Sequence, residues 1–172
     1  AIIFNSKIDT WSIKMHNLSK KINNKFENIY NLTGCLTIID STLNEVNITG
    51  NDFNCEDTVN FIRSTGSINK IFIKNSRSDS IDADFSKLKF NFVKVFNSKN
   101  DCIDFSYGTY NIESADLQQC GDKAISVGEK SIATFNKVKT QDSKIGIAAK
   151  DSSEVYINNA NMKNINICLS AY

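Results

Sequence analysis

A chain of 172 residues, 41 % of them hydrophobic, is long enough for one domain with its own core. Its 20 basic and 19 acidic residues leave a formal charge of +1, which excludes a global field for nucleic acid or an anionic membrane. No apolar run is long enough to span a bilayer, and the opening AIIFNSKIDTW lacks the basic start and small-residue cleavage site of a signal peptide.

Proline is absent and there are only 7 Gly, while Asn, Ile and Lys are abundant. An AT-rich genome accounts for such a bias, and so do stacked turns, because Asn tolerates the left-handed region and bonds to nearby backbone. The five cysteines (Cys35, Cys55, Cys102, Cys120 and Cys168) form no CxxC pair, and His16 is the only histidine, so a zinc site is not expected. Cys35 and Cys55, 20 apart, could lie on neighbouring coils within disulfide reach. Reduced, buried thiols are the expected state.

Residues 1–34 read as an N-terminal coil with a loop or capping segment. Ile2, Ile3 and Phe4 suggest a short strand. Trp11, Ile13 and Met15 alternate with polar residues, as a half-buried strand does. Leu18, Ile22, Phe26 and Ile29 could form one helical face, but the stretch is short and Asn-rich, and it reads as a loop or poor helix covering one end. Asn17, Asn31 and Asn47 open glycosylation sequons, which an Asn-rich chain produces by chance.

From residue 35 to residue 172 the chain repeats. Val59, Ile81, Ile103, Ile125, Ile147 and Leu169 recur every 22 residues. Phe61, Ala83, Phe105, Val127, Ala149 and Ala171 follow two positions later. A second strand in each coil carries the columns Ile68/Phe90/Ile112, Ile71/Val93/Ala115 and Ile73/Val95/Leu117. Asn75, Asn97 and Gln119 mark a recurring corner, and the last two coils shift by one residue to give Phe135/Ile157, Val138/Ala160 and Thr140/Met162. A period of 22 is too short for βαβ units and lacks the leucine-rich-repeat pattern. It predicts an all-β, right-handed, single-stranded parallel β-helix, in which each coil buries its apolar face only by stacking on the next. The sequence also opens and closes in mid-pattern, which reads as part of a longer chain with other domains or of a larger assembly.

Period-2 alternation turns the residue between the two inward columns outward. That column reads Asn60, Asp82, Asp104, Ser126, Ala148, Ser170, with coils stacking about 4.8 Å apart. Asp57, Asp79, Asp84, Asp101 and Asp122 lie at or near the ends of the same strands. Carboxylates this close raise one another's pKa or recruit a cation. Three outcomes follow. Asp79, Asp82, Asp101 and Asp104 could bind Ca²⁺, the one cofactor the sequence suggests. Asp82 and Asp104 could act as an acid/base pair on a glycosidic bond, with Lys123 as a neighbouring cation. Or each Asp could accept hydrogen bonds from backbone N–H at a corner, which is ordinary turn chemistry. A polysaccharide ligand would meet Asp82, Asp84, Asp104 and Tyr107; Phe85 shares the Tyr107 column, and Tyr110 is read as lying beside the same face. Corner packing is the alternative for these rings. Only Arg63 and Arg77 are available to clamp a uronate carboxylate, and Lys150, like Lys123, reads equally as a solvated surface lysine. No nucleophile–base arrangement, phosphate-cradling loop or basic–aromatic stripe for nucleic acid is apparent along the linear sequence.

The phrases GCLTIIDS (34–41), CEDTVNFI (55–62), SDSIDADFS (78–86), NDCIDFSYG (100–108), GDKAISVGEKS (121–131) and IGIAAKDSS (145–153) carry a resemblance. The chain resembles right-handed parallel β-helix proteins of the pectin-lyase-like class. More narrowly it resembles β-helix segments of uncharacterised bacterial surface proteins, some of which carry a spore-coat-protein-H-type kinase-like domain. The resemblance implies a right-handed coil and an extracellular or cell-surface location, and brings no established activity. The Gly-His-Gly and Arg-x-Lys motifs of polygalacturonase-type hydrolases do not occur, and no arginine stands in the Asp-rich phrases, as the pectate-lyase type would want. The sequence therefore predicts a non-catalytic scaffold or glycan-binding module, with a polysaccharide lyase, hydrolase or epimerase as the alternative.

Overall fold

The computed structural model describes residues 1–16 and 32–172. The loop-or-helix reading around Leu18–Ile29 and the sequons at Asn17 and Asn31 fall on residues 17–31, outside that set. The described residues form an all-β parallel solenoid of about 6 turns with about 22 residues per turn.

Short strands β1 (Ile2–Phe4), β4 (Gly34–Ile39), β6 (Asp57–Ile62), β8 (Asp79–Asp84), β10 (Ile103–Ser106) and β12 (Lys123–Gly128) stack in that order on one side. The long strands β5 (Thr42–Phe53), β7 (Thr65–Ser76), β9 (Lys87–Ser98) and β11 (Thr109–Cys120) alternate with them in sequence. Strands β2 (Lys7–Asp9) and β3 (Ser12–His16) pair with β5 at one end. At the other, β13 (Ile132–Ala149) pairs with both β11 and β12, and β14 (Glu154–Ala171) pairs with β13. The long strands bend where Asn69, Asn91 and Glu113 drop out of register, so each coil has three sides.

The predicted inward columns form the core. Val59, Ile81, Ile103, Ile125 and Ile147 are buried, as are Phe61, Ala83, Phe105 and Val127. Leu169 continues its column in register with Ile147 but is exposed, because among the described residues β14 is paired on one side only, by β13. Ile13 and Met15 pack on the core as predicted, while Trp11 stands outside it. The one-residue shift is real: Ile112 pairs with Phe135 and Ala115 with Val138, yet Lys123 pairs with Ile145. The extra residue sits in the turn at Glu129–Lys130, where both residues take positive φ.

Two corners repeat left-handed residues. Asp52, Asn75, Asn97, Gln119, Asp142 and Asn164 (φ 54–63°) form one column, rich in the side chains that tolerate this region best. Asp40, Arg63, Phe85 and Tyr107 (φ 46–51°) form the other. Behind the second corner runs a serine column. Ser41, Ser64 and Ser86 each accept, on the side-chain oxygen, the backbone N–H of the preceding coil's matching residue. The column breaks at Gly108, where a Cβ would lie 2.3 Å from the Tyr110 hydroxyl and 2.4 Å from the Ser86 carbonyl oxygen.

The expectation of reduced thiols is overturned. Cys35 and Cys55 form a disulfide, as do Cys102 and Cys120, and Cys168 is free and exposed. The reason lies in the third corner. Thr58 and Ser76, 18 residues apart, meet there through their hydroxyls at 2.7 Å, and Cys102 and Cys120 hold the equivalent pair of positions two coils later. The same inward geometry that joins two hydroxyls joins two sulfurs.

Candidate functional site

The Asp-rich face is built on the outer surface of β6, β8, β10 and β12. Register sets Asn60 beside Asp82, Asp82 beside Asp104 and Asp104 beside Ser126, as the repeat predicts. Two flanking columns complete it. Asp57 and Asp79 stand in register at the strand starts. Asp84 follows Ile62 and precedes Ser106 at the strand ends.

This face is not an open acidic ribbon. Asn60 and Ser126 are almost wholly buried, and Asp82, Asp84 and Asp104 are half-buried. The Lys150 stem crosses above Gly128, where a Cβ would meet Cε at 3.1 Å. At the strand starts the carboxylates are built into the backbone. Asp79 Oδ1 accepts the Asp101 amide at 2.7 Å and the Asn100 side-chain amide at 2.8 Å. Asp101 Oδ1 in turn accepts the Lys123 amide at 2.8 Å, and the Lys123 ammonium reaches Asp101 at 3.4 Å and Asp122 at 2.5 Å. Each Asp thus caps the strand start of the next coil, the structural role the sequence allowed. Asn60 donates its side-chain amide to Asp82, and Ser106 donates to Glu129 at 2.6 Å.

Burial dominates the electrostatics. It raises Asp79 to about 6 against the hydrogen bonds from Asp101 and Asn100, and raises Asp101 to about 6 against the Lys123 amide and ammonium. Burial and then repulsion from Asp84, Asp57, Asp104 and Asp79 push Asp82 up to about 9. Asp57, Asp84 and Asp104 are raised by burial as well, Asp104 less than its surroundings demand because Lys150 lies near. Burial alone would lower Lys123, but Asp122 and Asp101 outweigh it and raise it. Asn60 Oδ1, Asp104 Oδ1 and Ser126 Oγ are buried without a hydrogen-bond partner. Ser126 lies near enough to Asp104 to lower its pKa, but outside hydrogen-bond geometry.

The structure therefore brings Asp82, Asp84 and Asp104 together and sets Asp79, Asp101 and Lys123 in an adjoining staircase. Among the described residues, no three His, Cys, Asp or Glu side chains gather in a way that would hold a metal ion. Tyr107 is exposed at the corner just past Ser106, and its ring stacks on Phe85 with centroids 4.7 Å apart and planes within 3°. Tyr110, expected beside this face, is instead core: it is buried, stacks on Phe105 at 4.0 Å, and donates its hydroxyl to the Ala83 and Ser106 carbonyls. Its parity gives the reason, since Tyr110 lies two residues before the inward Ile112. Glu129, which anchors Ser106, was not singled out by the sequence; the one-residue insertion at its turn is the signal that marks it. A hollow of about 410 Å³ lies elsewhere, at the corner lined by Asn97, Lys99, Gln119, Asp142, Lys144 and Asn164.

No family model, no curated protein and no solved structure matches the chain. None of the described residues lies in a helix long and apolar enough to cross a membrane.

Proposed function

We propose that the chain is a non-catalytic module of a larger surface or extracellular protein, a rigid β-solenoid that serves as a scaffold and presents a glycan-binding face. The observation that supports this best is the staircase Asp79–Asp101–Lys123, in which two of the four carboxylates that suggested a cation site are instead fixed to backbone amides of the next coil. Ladders on the other surfaces act alike: Asn51, Asn75 and Asn97 bond in series, and Arg63 grips Asp40 with both ends of its fork. Two disulfides in a chain of this size support an oxidising compartment. The coil length fits the pectin-lyase-like class, and the likeness to bacterial surface segments rests on the sequence phrases.

One observation favours a second reading, a polysaccharide lyase, hydrolase or epimerase. Asp82 keeps its proton to about 9 while Asp79 and Asp101 lose theirs near 6, and carboxyls with separated pKa values are what acid/base chemistry on a sugar requires. In that reading Asp82 is the acid, Asp104 its partner and Lys123 the cation, while the expected Ca²⁺ site at Asp79, Asp82, Asp101 and Asp104 finds no three of these side chains gathered to hold it.

A panel of neutral and acidic polysaccharides, assayed for released products and for retention, separates the two. The scaffold reading expects no products, and a melting midpoint that does not respond to Ca²⁺. Product release abolished in both Asp82→Asn and Asp104→Asn, with folding intact, would overturn it.

A further inference from the structure

The near-zero net charge conceals a segregation that only the register reveals. On the third side of the coils, Ile71, Ile73, Val93, Val95, Ala115 and Leu117 point into the core, so the residues between them point out. Register then aligns Lys70 with Phe92, Phe72 with Lys94, and Lys74 with Phe96. The result is a checkerboard. Each ammonium lies over a ring of the adjacent strand: Lys70 at 5.9 Å from the Phe92 centroid, Lys74 at 5.7 Å from Phe96, and Lys94 at 6.0 Å from Phe72. The surface extends over β13 and β14 through Lys137, Lys139 and Lys163, and over β3 through Lys14. At the positions in register with Lys70, Phe72 and Lys74, Asp116 is the one carboxylate among the described residues, paired with Lys94 at 3.5 Å, while Glu113 and Asp142 lie toward the corners on either side.

We infer that this lysine–phenylalanine face binds a linear anionic polysaccharide, its sugar rings lying on the phenylalanines and its carboxylate or sulfate groups meeting the lysines. The inference deepens the glycan-binding half of the proposed function, and places the ligand on a different side from the Asp-rich face. Charge complementarity directs it there, because the Asp-rich side sets Asp57, Asp79, Asp84, Asp101 and Asp104 against a polyanion and its Lys123 is already engaged by Asp101 and Asp122. Periodicity favours a polymer. Outward positions recur from coil to coil at about 4.8 Å and along each strand at about 6.6 Å, and on that grid Lys94 stands diagonally between Lys70 and Lys74 with rings at the intervening positions, an alternation suited to a repeating chain. The face carries lysine and no arginine, which suits isolated anionic groups met by point charges more than bidentate phosphate recognition.

The test is retention of the protein in native gels containing polygalacturonate, with dextran as the neutral probe and poly(dT) as the nucleic-acid probe. Three variants are compared with the parent: Lys70→Gln/Lys74→Gln/Lys94→Gln, Phe72→Thr/Phe92→Thr/Phe96→Thr, and Lys137→Gln/Lys139→Gln, whose lysines make none of the ring contacts and whose loss spares the checkerboard. Circular dichroism checks that each folds. Retention by polygalacturonate that weakens with salt, falls at least tenfold in the first variant and several-fold in the other two, and is unchanged in Asp82→Asn/Asp104→Asn, is expected. Tighter retention by poly(dT), or loss in the lysine variants with none in the phenylalanine variant, would overturn it in favour of nucleic acid or of unspecific charge. Retention by dextran alone, or loss in the Asp variant only, would overturn it while leaving the glycan-binding module standing. Retention by none of the three would overturn it and leave only the scaffold role.

Discussion

Asp82 stands in register with Asp104 on the next coil, while Asn60 on the coil before donates its amide to Asp82. Burial, joined by repulsion from the neighbouring carboxylates, holds a proton on Asp82 up to about 9, and burial holds one on Asp79 and Asp101 up to about 6. In the unfolded chain all three release theirs near the ordinary aspartate value of about 3.9. The folded state therefore binds more protons than the unfolded state above about pH 4, and stability falls as pH rises. All three contribute to the fall up to about pH 6, and Asp82 alone continues it toward about pH 9. A melting midpoint measured from about pH 4 to about pH 9 should decline across that window. A midpoint that climbs over the same range would contradict the raised values.

Asp82→Asn keeps the shape of the protonated acid and removes the charge that burial and its neighbours oppose. The variant should melt near the parent at about pH 4 and above it at about pH 8, by roughly 3 °C or more for each kcal/mol relieved. Asp101→Asn should behave differently. It deprives the Lys123 amide of a charged acceptor and the Lys123 ammonium of a buried partner, and should cost about 1–3 kcal/mol. Equal effects of the two substitutions at about pH 8 would mean that the staircase contributes nothing of its own.

Tyr110 supplies from a distance what a serine supplies in other coils. Its hydroxyl donates to the Ala83 and Ser106 carbonyls at the place where Gly108 interrupts the serine column. Tyr110→Phe leaves that buried polar site without its donor and should cost about 1–3 kcal/mol in urea unfolding. A loss below about 0.5 kcal/mol would show that the carbonyls find other donors.

Much of this fold was legible because a solenoid writes its three-dimensional neighbours at a fixed interval. The inward columns, the adjacency of Asp82 and Asp104, and the one-residue shift after Gly128 all follow from counting 22. What counting misses is the content between columns. Tyr110 was set on the surface because an aromatic near an acidic strand suggests a sugar, whereas its parity with Ile112 already pointed inward. Asn60 and Ser126 are buried although they stand on an outward column, which alternation alone does not display. The lysine–phenylalanine checkerboard lies in two strands that look unremarkable separately, IFIK and FVKVF, and emerges only when they are laid in register.

The disulfide between Cys102 and Cys120 closes a loop of sequence separation 18. Cys102→Ala/Cys120→Ala should therefore lower stability by about 3 kcal/mol, since loops of this length lose about that much closure entropy. Both sulfurs are buried in the core, so a thiol reagent applied to the native protein should label Cys168 alone. Labelling of Cys102 or Cys120 without denaturant would mean that the bridge is open in the folded state.

Phe85 and Tyr107 hold an uncommon position. Each has positive φ, 51° and 49°, without being Gly, Asn or Asp, and each is more than half exposed. A bulky residue in that region costs of order 1–3 kcal/mol, and the stack between the two rings returns about 0.5–1.5 kcal/mol. Asn at both sites would relieve most of the backbone cost and forfeit the stack. If the rings serve only to pin the corner, Phe85→Asn/Tyr107→Asn should leave urea stability within about 1 kcal/mol of the parent. It should also leave retention on every polysaccharide unchanged. If the pair serves a ligand on the Asp-rich side, the same variant keeps its stability and loses retention that the lysine-face variants preserve. The two measurements together thus decide which side of the solenoid a glycan meets, since no corner-packing role can lower retention while leaving the unfolding curve in place.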